Sequence, residues 1–548
     1  MHRNTTTQGL ATPFSRRALI AGGLGAAATG LLASCSTVTR STDVKAINKA
    51  VRLPDYVPWT GGPEPVLPKT SALMPSAFRR IPDRLVPTRG KPGDGSTVHG
   101  SVPTNSPIPP SKGSNPYWQG LDERMGIDLD LTITPNADFA NKFATQVAGD
   151  TLGDVFTING SFSYLPQFLE AKAADLSPHL SGSGVRDYPY LANLPTASWR
   201  GTVFSGGIYG VPVPRGPLAS QALHRRQDVF ERLGVDPAFS SVDEFVQLCR
   251  RVSDPHANRW ALASVPTNVL APMLGLPNQW QQQGGRLTHM YELEEYQELL
   301  DVSRRLIAED LVHPDSITAY NGKVWFVQGS ALMLADTYTA IPGLLQQATP
   351  GSGFELTVAP FVGPSGASAK PWLGDPNNTI ASIAAGSEER VRMLLEVLNW
   401  CASPFGTEAW TYRKFGIEGR DFEYRDGAPV LTKTGNSETA LGEFPLQYFT
   451  ECPLPLYYAG NAAMTDTVHE SLSSWLDDGL PNPVYGLYSP TNSTKGPTLG
   501  TFATNAINDV LLGRAKVSSW KATVRDWRRR GGDAIRREYE QALEARGD

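Results

Sequence analysis

The side chains of this sequence that could do chemistry are carboxylates in loop-like, aromatic-rich stretches. Asp375, Glu418 and Asp421 are the candidates for a pair that cleaves a glycosidic bond, one as acid and the other as base or nucleophile. Such a pair needs a separation of about 5–10 Å, which a sequence does not report. Carboxylates that face solvent or hold a turn give the same pattern, so both interpretations stay open at this point.

Motifs for other kinds of chemistry are absent from the sequence. It has no Gly-rich phosphate loop with a following Lys-Ser/Thr, no His-Glu-x-x-His or Cys-x-x-Cys pair, and no Gly-x-Ser-x-Gly elbow. Each of these motifs works because its spacing places the reacting groups beside a phosphate, a zinc ion or a substrate carbonyl. We therefore expect no cofactor and no metal site on this chain.

The first 35 residues carry, in order, the features of a bacterial export signal. Arg16 and Arg17 precede residues 18–32, a run of small and apolar residues without charge. This run is shorter than the roughly 20 residues that span a membrane. It ends in Leu-Ala-Ser-Cys, which resembles a lipobox after a twin-arginine signal. We predict a signal peptide at 1–34, acylation (palmitate) of Cys35, and a lipid anchor on the outer face of the cell membrane; a buried helix end with an incidental cysteine is the alternative.

The composition indicates an acidic chain with few cysteines and many aromatic residues. Its 548 residues exceed what one core usually supports, so we expect two lobes or domains. The formal charge of -5 becomes -8 without the three arginines of residues 1–34, which argues against a nucleic-acid partner. Cys249, Cys401 and Cys452 lack metal-site spacing, and one disulfide remains open. The 12 Trp and 18 Tyr residues could form a core or present flat faces to sugar rings.

Strand and helix patterns alternate along most of the chain. Residues 36–95 are rich in Pro, Gly, Ser and Thr, which is typical of a tether, with an irregular strap packed on the body as the alternative. The folded part is expected from Ser96 onward. The clearest predictions are strands at Ile127–Ile133, Asp154–Ile158 and Ala331–Ala335, and helices at Asn136–Val147, Tyr291–Glu309 and Glu388–Cys401. This alternation is typical of an α/β lobe with a largely parallel sheet.

Several segments, taken in order, resemble those of a known family. They are Asn115–Trp118 with Arg124–Ile127, Ala148–Asp150 with Gly153–Val155, Ile208-Tyr209-Gly210-Val211-Pro212, Val312-His313-Pro314-Asp315, Phe415–Phe422 and Trp527–Tyr539. Together they resemble the extracellular solute-binding proteins of family 1 that serve ABC importers, of the aldouronate or oligosaccharide kind.

The resemblance implies an α/β fold of two lobes, periplasmic-binding-protein-like (type II, Venus-flytrap), with a ligand cleft between them. The domains expected from it are the signal at 1–34, a tether at 35–95, lobe 1 at 96–212 completed by about 373–450, lobe 2 at 213–372 completed by C-terminal segments, and C-terminal segments with a helical end at 451–548. We expect the chain to cross between the lobes near Val211–Arg215 and near Ala359–Trp372.

A carbohydrate in such a cleft would be held by aromatic faces and planar polar groups. Candidates come mainly from loops after strands and from the crossings; they are Asn159, Ser161, Arg215, Trp280, Asp336, Tyr338, Trp372 and Asp375. Arg215 could bind a uronate carboxylate through two hydrogen bonds. The tryptophans expected in the core instead are Trp118, Trp325, Trp400 and Trp410.

The leading hypothesis is therefore a monomeric, lipid-anchored receptor that performs no catalysis. It would capture a small-molecule ligand, an oligosaccharide or uronate, and deliver it to the transmembrane subunits of an ABC permease. Three alternatives stay open: an exported carbohydrate-active enzyme such as a glycosidase or lyase, a receptor of the same fold for peptide or another solute, and a structural or adhesive lipoprotein.

Overall fold

The computed structural model describes residue 48 and residues 50–88, 90–159, 164–349, 351–364 and 367–546. Within these residues the strands, β1 to β15 in chain order, are Thr97–Thr104, Asp128–Pro135, Val155–Ile158, Val203–Phe204, Gly207–Ile208, Val211–Pro214, Gln221–Arg226, Trp260–Leu262, Trp280–Gln283, Arg286–His289, Ala331–Thr337, Leu356–Val358, Asn377–Ile383, Phe422–Arg425 and Ala428–Leu431. The α-helices there are Pro116–Met125, Asn136–Gly149, Leu165–Lys172, Ser177–Leu180, Pro189–Ala192, Thr196–Trp199, Gln227–Leu233, Val242–Val252, Thr267–Met273, Glu294–Ala308, Gly322–Gln328, Ile341–Gln347, Glu388–Cys401, Glu408–Phe415, Lys433–Glu438, Ala462–Ser473, Pro490–Leu511, Trp520–Trp527 and Asp533–Arg546. The predicted signal peptide, the Cys35 lipidation site and Ser161 lie outside the described residues.

The first lobe is built on a five-stranded sheet in the order β2-β1-β3-β13-β6. Strand β1 pairs in parallel with β2 and β3, whereas β13 runs antiparallel to both β3 and β6. The sheet is therefore mixed rather than largely parallel. The reason is the route of the chain, because β13 enters the sheet from the edge at which β1, β2 and β3 end and must run in the opposite direction.

The second lobe is built on a four-stranded sheet in the order β12-β7-β11-β8. Here β11 is parallel to β8, and β7 is antiparallel to both β11 and β12. The helices pack on the faces of both sheets, so the expected two-lobed α/β fold is confirmed.

Among the described residues from Thr97 onward, three stretches of chain connect the two lobes. The first leads from β6 in the first sheet to β7 in the second, and the next leads from β12 back to β13. A further connection, absent from the sequence analysis, runs from Phe449 in the first-lobe core to Leu456 in the second-lobe core. Several connections of this kind form a hinge about which lobes can close.

The helix Glu388–Cys401 illustrates how local sequence determines the first-lobe elements. The Ser387 hydroxyl accepts a hydrogen bond from the Arg390 N–H (3.3 Å), which caps the helix start. Its apolar side chains recur at helical spacing, and Val391, Leu394, Leu395 and Leu398 all lie in the first-lobe core.

Residues 51–88, here called the strap, have little regular structure but pack on the body. The Val57 N–H donates to the Ala192 carbonyl (2.8 Å), and the Val86 N–H donates to the Gly406 carbonyl (2.9 Å). Five strap residues are buried, namely Pro54, Met74, Ala77, Phe78 and Ile81. Of the two alternatives for this part of the chain, residues 51–88 therefore form the packed strap and not a free tether.

Cys249, Cys401 and Cys452 are free, buried thiols. Each lies in a different hydrophobic cluster, so the disulfide that the sequence left open does not form among them. No helix in the described ranges is long and apolar enough to cross a membrane.

Candidate ligand-binding site

A cavity of about 490 Å³ lies between the two lobes. The first lobe contributes Asn105, Asn378 and Tyr448 to its lining, and the second contributes Lys323 and Asp336. Arg215, from the connection between β6 and β7, lines it as well. The cavity is thus an open cleft lined by both lobes and the hinge between them.

Amide side chains follow the strand ends at the edge of the first sheet that faces the second lobe. Asn105 follows β1, Asn136 follows β2, Asn159 follows β3, and Asn378 lies at the start of the antiparallel β13. Asn105 donates to the Tyr448 hydroxyl (2.9 Å), and Asn159 donates to the Asn136 side chain (2.5 Å). The sequence analysis named one of these four, Asn159, as a site residue, and Asn136 could have been found from its position shortly after the predicted strand Ile127–Ile133.

The end of β11 forms the corresponding edge of the second sheet. Asp336 accepts a hydrogen bond from the Thr337 N–H (2.7 Å), and its carboxylate lies 3.9 Å from the Lys323 ammonium. Beneath it, the buried His224 ring contacts the Thr337 carbonyl (3.1 Å), and burial lowers the pKa of His224. This edge therefore offers the cavity one carboxylate and one ammonium group.

One side of the cavity is aromatic. Trp410, Phe415, Tyr457 and Tyr458, here called the aromatic wall, all line it. The Trp410 and Tyr457 rings lie 6.0 Å apart, and burial raises the pKa of Tyr457. In the part of the chain that the structure describes, the buried Tyr457 hydroxyl has no hydrogen-bond partner. Trp410 was expected in the core and is indeed only 5% exposed, but it also borders the cavity.

A cluster of charged side chains forms the cavity wall next to the hinge. Glu451 is 3.1 Å from Arg215 and 2.7 Å from Lys414, and Arg413 approaches it to 3.6 Å. Burial acts to raise the pKa of Glu451, but the three cations outweigh it and lower that pKa to about 2. One carboxylate facing three cations leaves the cluster with an excess of positive charge.

The Arg215 side chain is already engaged within this cluster. Its Nη1 donates to the Pro214 carbonyl (2.9 Å) and to Glu451 (3.1 Å), and its Nη2 donates to Gln447 (3.4 Å). The sequence analysis expected this guanidinium to be available for a ligand carboxylate. Lys414 is the more accessible cation, since its side chain is 20% exposed against 9% for Arg215.

The structure places Arg215, Asp336 and Tyr338 in the cavity lining, but other predicted site residues lie elsewhere. Trp280 is 5% exposed and packs against Trp527 (6.3 Å between ring centroids) in a cluster with the C-terminal helices. Its assignment to the ligand site is corrected for that reason.

Trp372 and Asp375 occupy the second connection between the lobes without lining the cavity. The Trp372 indole N–H donates to the Leu276 carbonyl (2.8 Å), so the ring is used for packing in the second lobe. Asp375 is exposed to solvent on one side, and the protein atoms around its carboxyl raise its pKa by desolvation. Asn159 follows β3 at the sheet edge, where it donates to Asn136, and it is not among the residues that line the cavity.

The carboxylates considered for glycosidic chemistry do not meet in the cavity. The Asp421 carboxylate accepts the Ile417 N–H (2.8 Å), and Glu418 forms a β-bridge with Phe422, so both belong to one turn. Asp375 lies in the hinge. Among the described residues there is no group of three or more His, Cys, Asp or Glu side chains that could hold a metal ion.

Two lobes, a hinge of several connections and a polar and aromatic cleft between them define a ligand-binding protein. The chain belongs to the bacterial extracellular solute-binding protein family, whose model matches residues 115–407.

Relatives and solved structures agree with this membership. The chain is 22% identical over 479 residues to Lipoprotein LipO of Bacillus subtilis (strain 168), covering 83% of this chain and 93% of LipO. It is 21% identical over 447 residues to the polygalacturonan/rhamnogalacturonan-binding protein YtcQ of the same organism, covering 77% of this chain and 87% of YtcQ. The N-glycan transport solute binding protein NgtS from Streptococcus pneumoniae superposes with a TM-score of 0.59 at 13% identity, covering 82% of this chain and 99% of NgtS. The last comparison shows the shared fold.

Proposed function

We propose that this chain is the substrate-binding lipoprotein of an ABC importer, which captures an oligosaccharide outside the membrane and delivers it to a permease. The observation that carries the proposal is the combination of an aromatic wall with amide side chains in one cavity. A sugar ring presents apolar C–H faces, which pack on aromatic rings, and hydroxyls, which exchange hydrogen bonds with amides. The name of the relative YtcQ, a polygalacturonan/rhamnogalacturonan-binding protein, supports this ligand class.

Closure of the lobes would couple ligand capture to delivery. A ligand that contacts Asn105 in the first lobe and Asp336 in the second gains both sets of contacts only when the lobes are closed. Such differential contacts shift the population toward the closed state. The closed protein would then present its surface to the transmembrane subunits of the permease as a monomer.

The charges of the cavity favour an oligosaccharide that contains uronate. Among the described residues, three cations and three carboxylates line the cavity, and the buried Arg413 behind Glu451 adds a fourth cation. Within the cluster around Glu451, the more accessible cation is Lys414. Its ammonium group can pair with a ligand carboxylate while it keeps its contact with Glu451.

The charged cluster around Glu451 supports a receptor that performs no catalysis. A general acid must hold its proton near the working pH. Glu451, with a pKa of about 2, is ionised at neutral pH and is committed to Arg215 and Lys414. Its arrangement fits a fixed countercharge better than a proton donor.

The location proposed with this function is the outer face of the cell membrane, through a lipid on Cys35. The name of the relative Lipoprotein LipO supports an anchor of this kind. Cells that express Cys35→Ala should release the protein from the membrane fraction and lose incorporation of labelled palmitate. A variant that stays in the membrane fraction and still incorporates palmitate would contradict the lipid anchor. That result would leave the ligand proposal unaffected.

A thermal-shift screen of the purified protein tests the ligand proposal. The panel should contain oligogalacturonides, neutral oligosaccharides and peptides, each followed by isothermal titration calorimetry. A ligand at 100 times its dissociation constant should stabilise the folded state by about 2.7 kcal/mol. Binding of a sugar that is recovered unchanged by chromatography supports the proposal. A sugar consumed during incubation would indicate an enzyme instead, and binding of peptides alone would indicate a receptor for another solute.

A further inference from the structure

We propose that the strap is a working part of the binding site: residues 76–78 hold the aromatic wall in place, and Phe78 is the positioning residue. This inference deepens the proposed function and rests on it for its ligand-binding consequences. Composition alone would assign the strap to a dispensable tether. Its contacts with the cavity wall assign it a different role.

The backbone of the strap pairs with the chain segment that forms one wall of the cavity. Residues of the segment Leu454–Ala459 that line the cavity are Leu454, Pro455, Tyr457, Tyr458 and Ala459. The remaining member, Leu456, is fully buried. The Phe78 N–H donates to the Leu456 carbonyl (2.8 Å), and the Leu456 N–H donates to the Ser76 carbonyl (2.9 Å). Two backbone hydrogen bonds to the strap therefore fix the middle of this wall segment.

The Phe78 side chain supports the same wall from behind. Its ring stacks on Phe405 at 4.3 Å between centroids, with an interplanar angle of 22°. Phe405 in turn contacts Trp410 at 4.8 Å and Tyr457 at 5.0 Å. Protein interiors are close-packed, so a ring removed from one layer leaves a cavity into which its neighbours can move. Loss of the Phe78 ring should let Trp410 and Tyr457 shift away from the ligand.

The strap also connects this wall to both lobes. Met74 and Ala77 lie in the second-lobe core together with Tyr338, and Arg79 pairs with Asp466 on the helix Ala462–Ser473 (2.9 Å). At its other end the strap bonds to the first lobe, where the Val86 N–H donates to the Gly406 carbonyl (2.9 Å). The wall segment, which connects the lobes, is thereby held from both sides.

The native thiols give a readout of wall position that needs no ligand. Cys452 lies in the hydrophobic cluster of Phe78 and Phe405, whereas Cys249 lies in the second-lobe core with Phe239. Phe239 is a matched control for Phe78, because the two phenylalanines are 9% and 7% exposed and each packs on another phenylalanine. Alkylation of each cysteine in the folded full-length protein can be followed by peptide mass spectrometry.

We expect Phe78→Ala to accelerate alkylation of Cys452 while Cys249 keeps its rate, and Phe239→Ala to do the reverse. Phe78→Ala should also weaken binding of an oligogalacturonide by about tenfold, the effect of about 1.4 kcal/mol, whereas Phe239→Ala should leave that affinity unchanged. Phe78→Leu keeps much of the side-chain volume, so its Cys452 alkylation rate and its oligogalacturonide affinity should lie between those of wild type and Phe78→Ala.

Two results would overturn the inference. One is an unchanged Cys452 rate in Phe78→Ala, and the other is equal acceleration of both cysteines, which reports global opening. If the wild-type protein binds no sugar, the proposed function fails, and the alkylation rates still decide whether the strap positions the wall. If sugar binds wild type and Phe78→Ala equally, the strap proposal alone fails.

Discussion

Replacement of Glu451 by glutamine should destabilise the folded protein strongly at neutral pH. The side chain is buried and faces Arg215, Lys414 and Arg413 at 3.1, 2.7 and 3.6 Å. Glutamine keeps the shape of the side chain but removes its negative charge. Three cations would then share a buried site without a counterion, which is the costly way to break a buried ion pair.

The size of the effect follows from the pKa of Glu451. That pKa falls from an ordinary 4.5 to about 2 in the folded state. Each pKa unit corresponds to about 1.4 kcal/mol, so ionised Glu451 contributes about 3 kcal/mol to the free energy of unfolding. Because the folded-state pKa is the lower one, this contribution is fully present above pH 4.5 and is lost as the pH falls toward 2.

Urea denaturation followed by tryptophan fluorescence, at several pH values between 7 and 3, measures the effect. The difference between wild type and Glu451→Gln should be about 3 kcal/mol at pH 7 and should shrink below about pH 4.5. Glu309→Gln is the control, because Glu309 pairs with Arg250 at 2.6 Å on the exposed surface and its loss should matter little. A small difference that does not change with pH would refute the role assigned to the cluster.

Three further outcomes test the site and the core. Tyr457→Phe should leave the melting temperature at or slightly above wild type and the oligogalacturonide affinity in calorimetry unchanged, since this buried hydroxyl lacks a partner among the described residues; a large loss of stability would contradict that assignment. Trp280→Ala should lower the free energy of unfolding by about 3–5 kcal/mol without a change in sugar affinity, because its ring is packed against Trp527; weakened binding at unchanged stability would return Trp280 to the site. Reductant should not change the melting temperature, since Cys249, Cys401 and Cys452 are free thiols. Burial raises the pKa of Cys401 and Cys452 to about 12 and should keep their alkylation slow until the protein unfolds. Fast alkylation of all three cysteines in the folded state would contradict their burial.

Much of the local structure could be predicted because its causes are local. The alternating residues of β2 have alternating burial, and the helix Glu388–Cys401 buries the stripe that its spacing predicts. The break in the C-terminal helical region falls at Gly531 and Gly532. There a Cβ on Gly532 would come within 2.4 Å of the Trp527 ring, so the close approach requires glycine.

The candidate site was less predictable, because residue type says little about which surface a side chain faces. Trp280 and Trp410 are both tryptophans of 5% exposure, yet only Trp410 borders the cavity. Tyr457 lies in a stretch of sequence that has no clear periodicity, and its place in the wall depends on strap residues far earlier in the chain. Arg215 was found from its position after β6, but its engagement by Glu451 could not be read from the sequence.

The sequence by itself determined the elements, their order and the family, since hydrophobic period, capping residues and short motifs act over a few residues. Only the tertiary structure decided the direction of β13 in its sheet, the packing of the strap and the composition of the cavity wall. These features depend on contacts between distant residues, such as the hydrogen bond between Arg215 and Glu451, which are 236 positions apart. The physical reason is that burial and long-range pairing are properties of the assembled chain, and any one segment admits several partners until the others are in place.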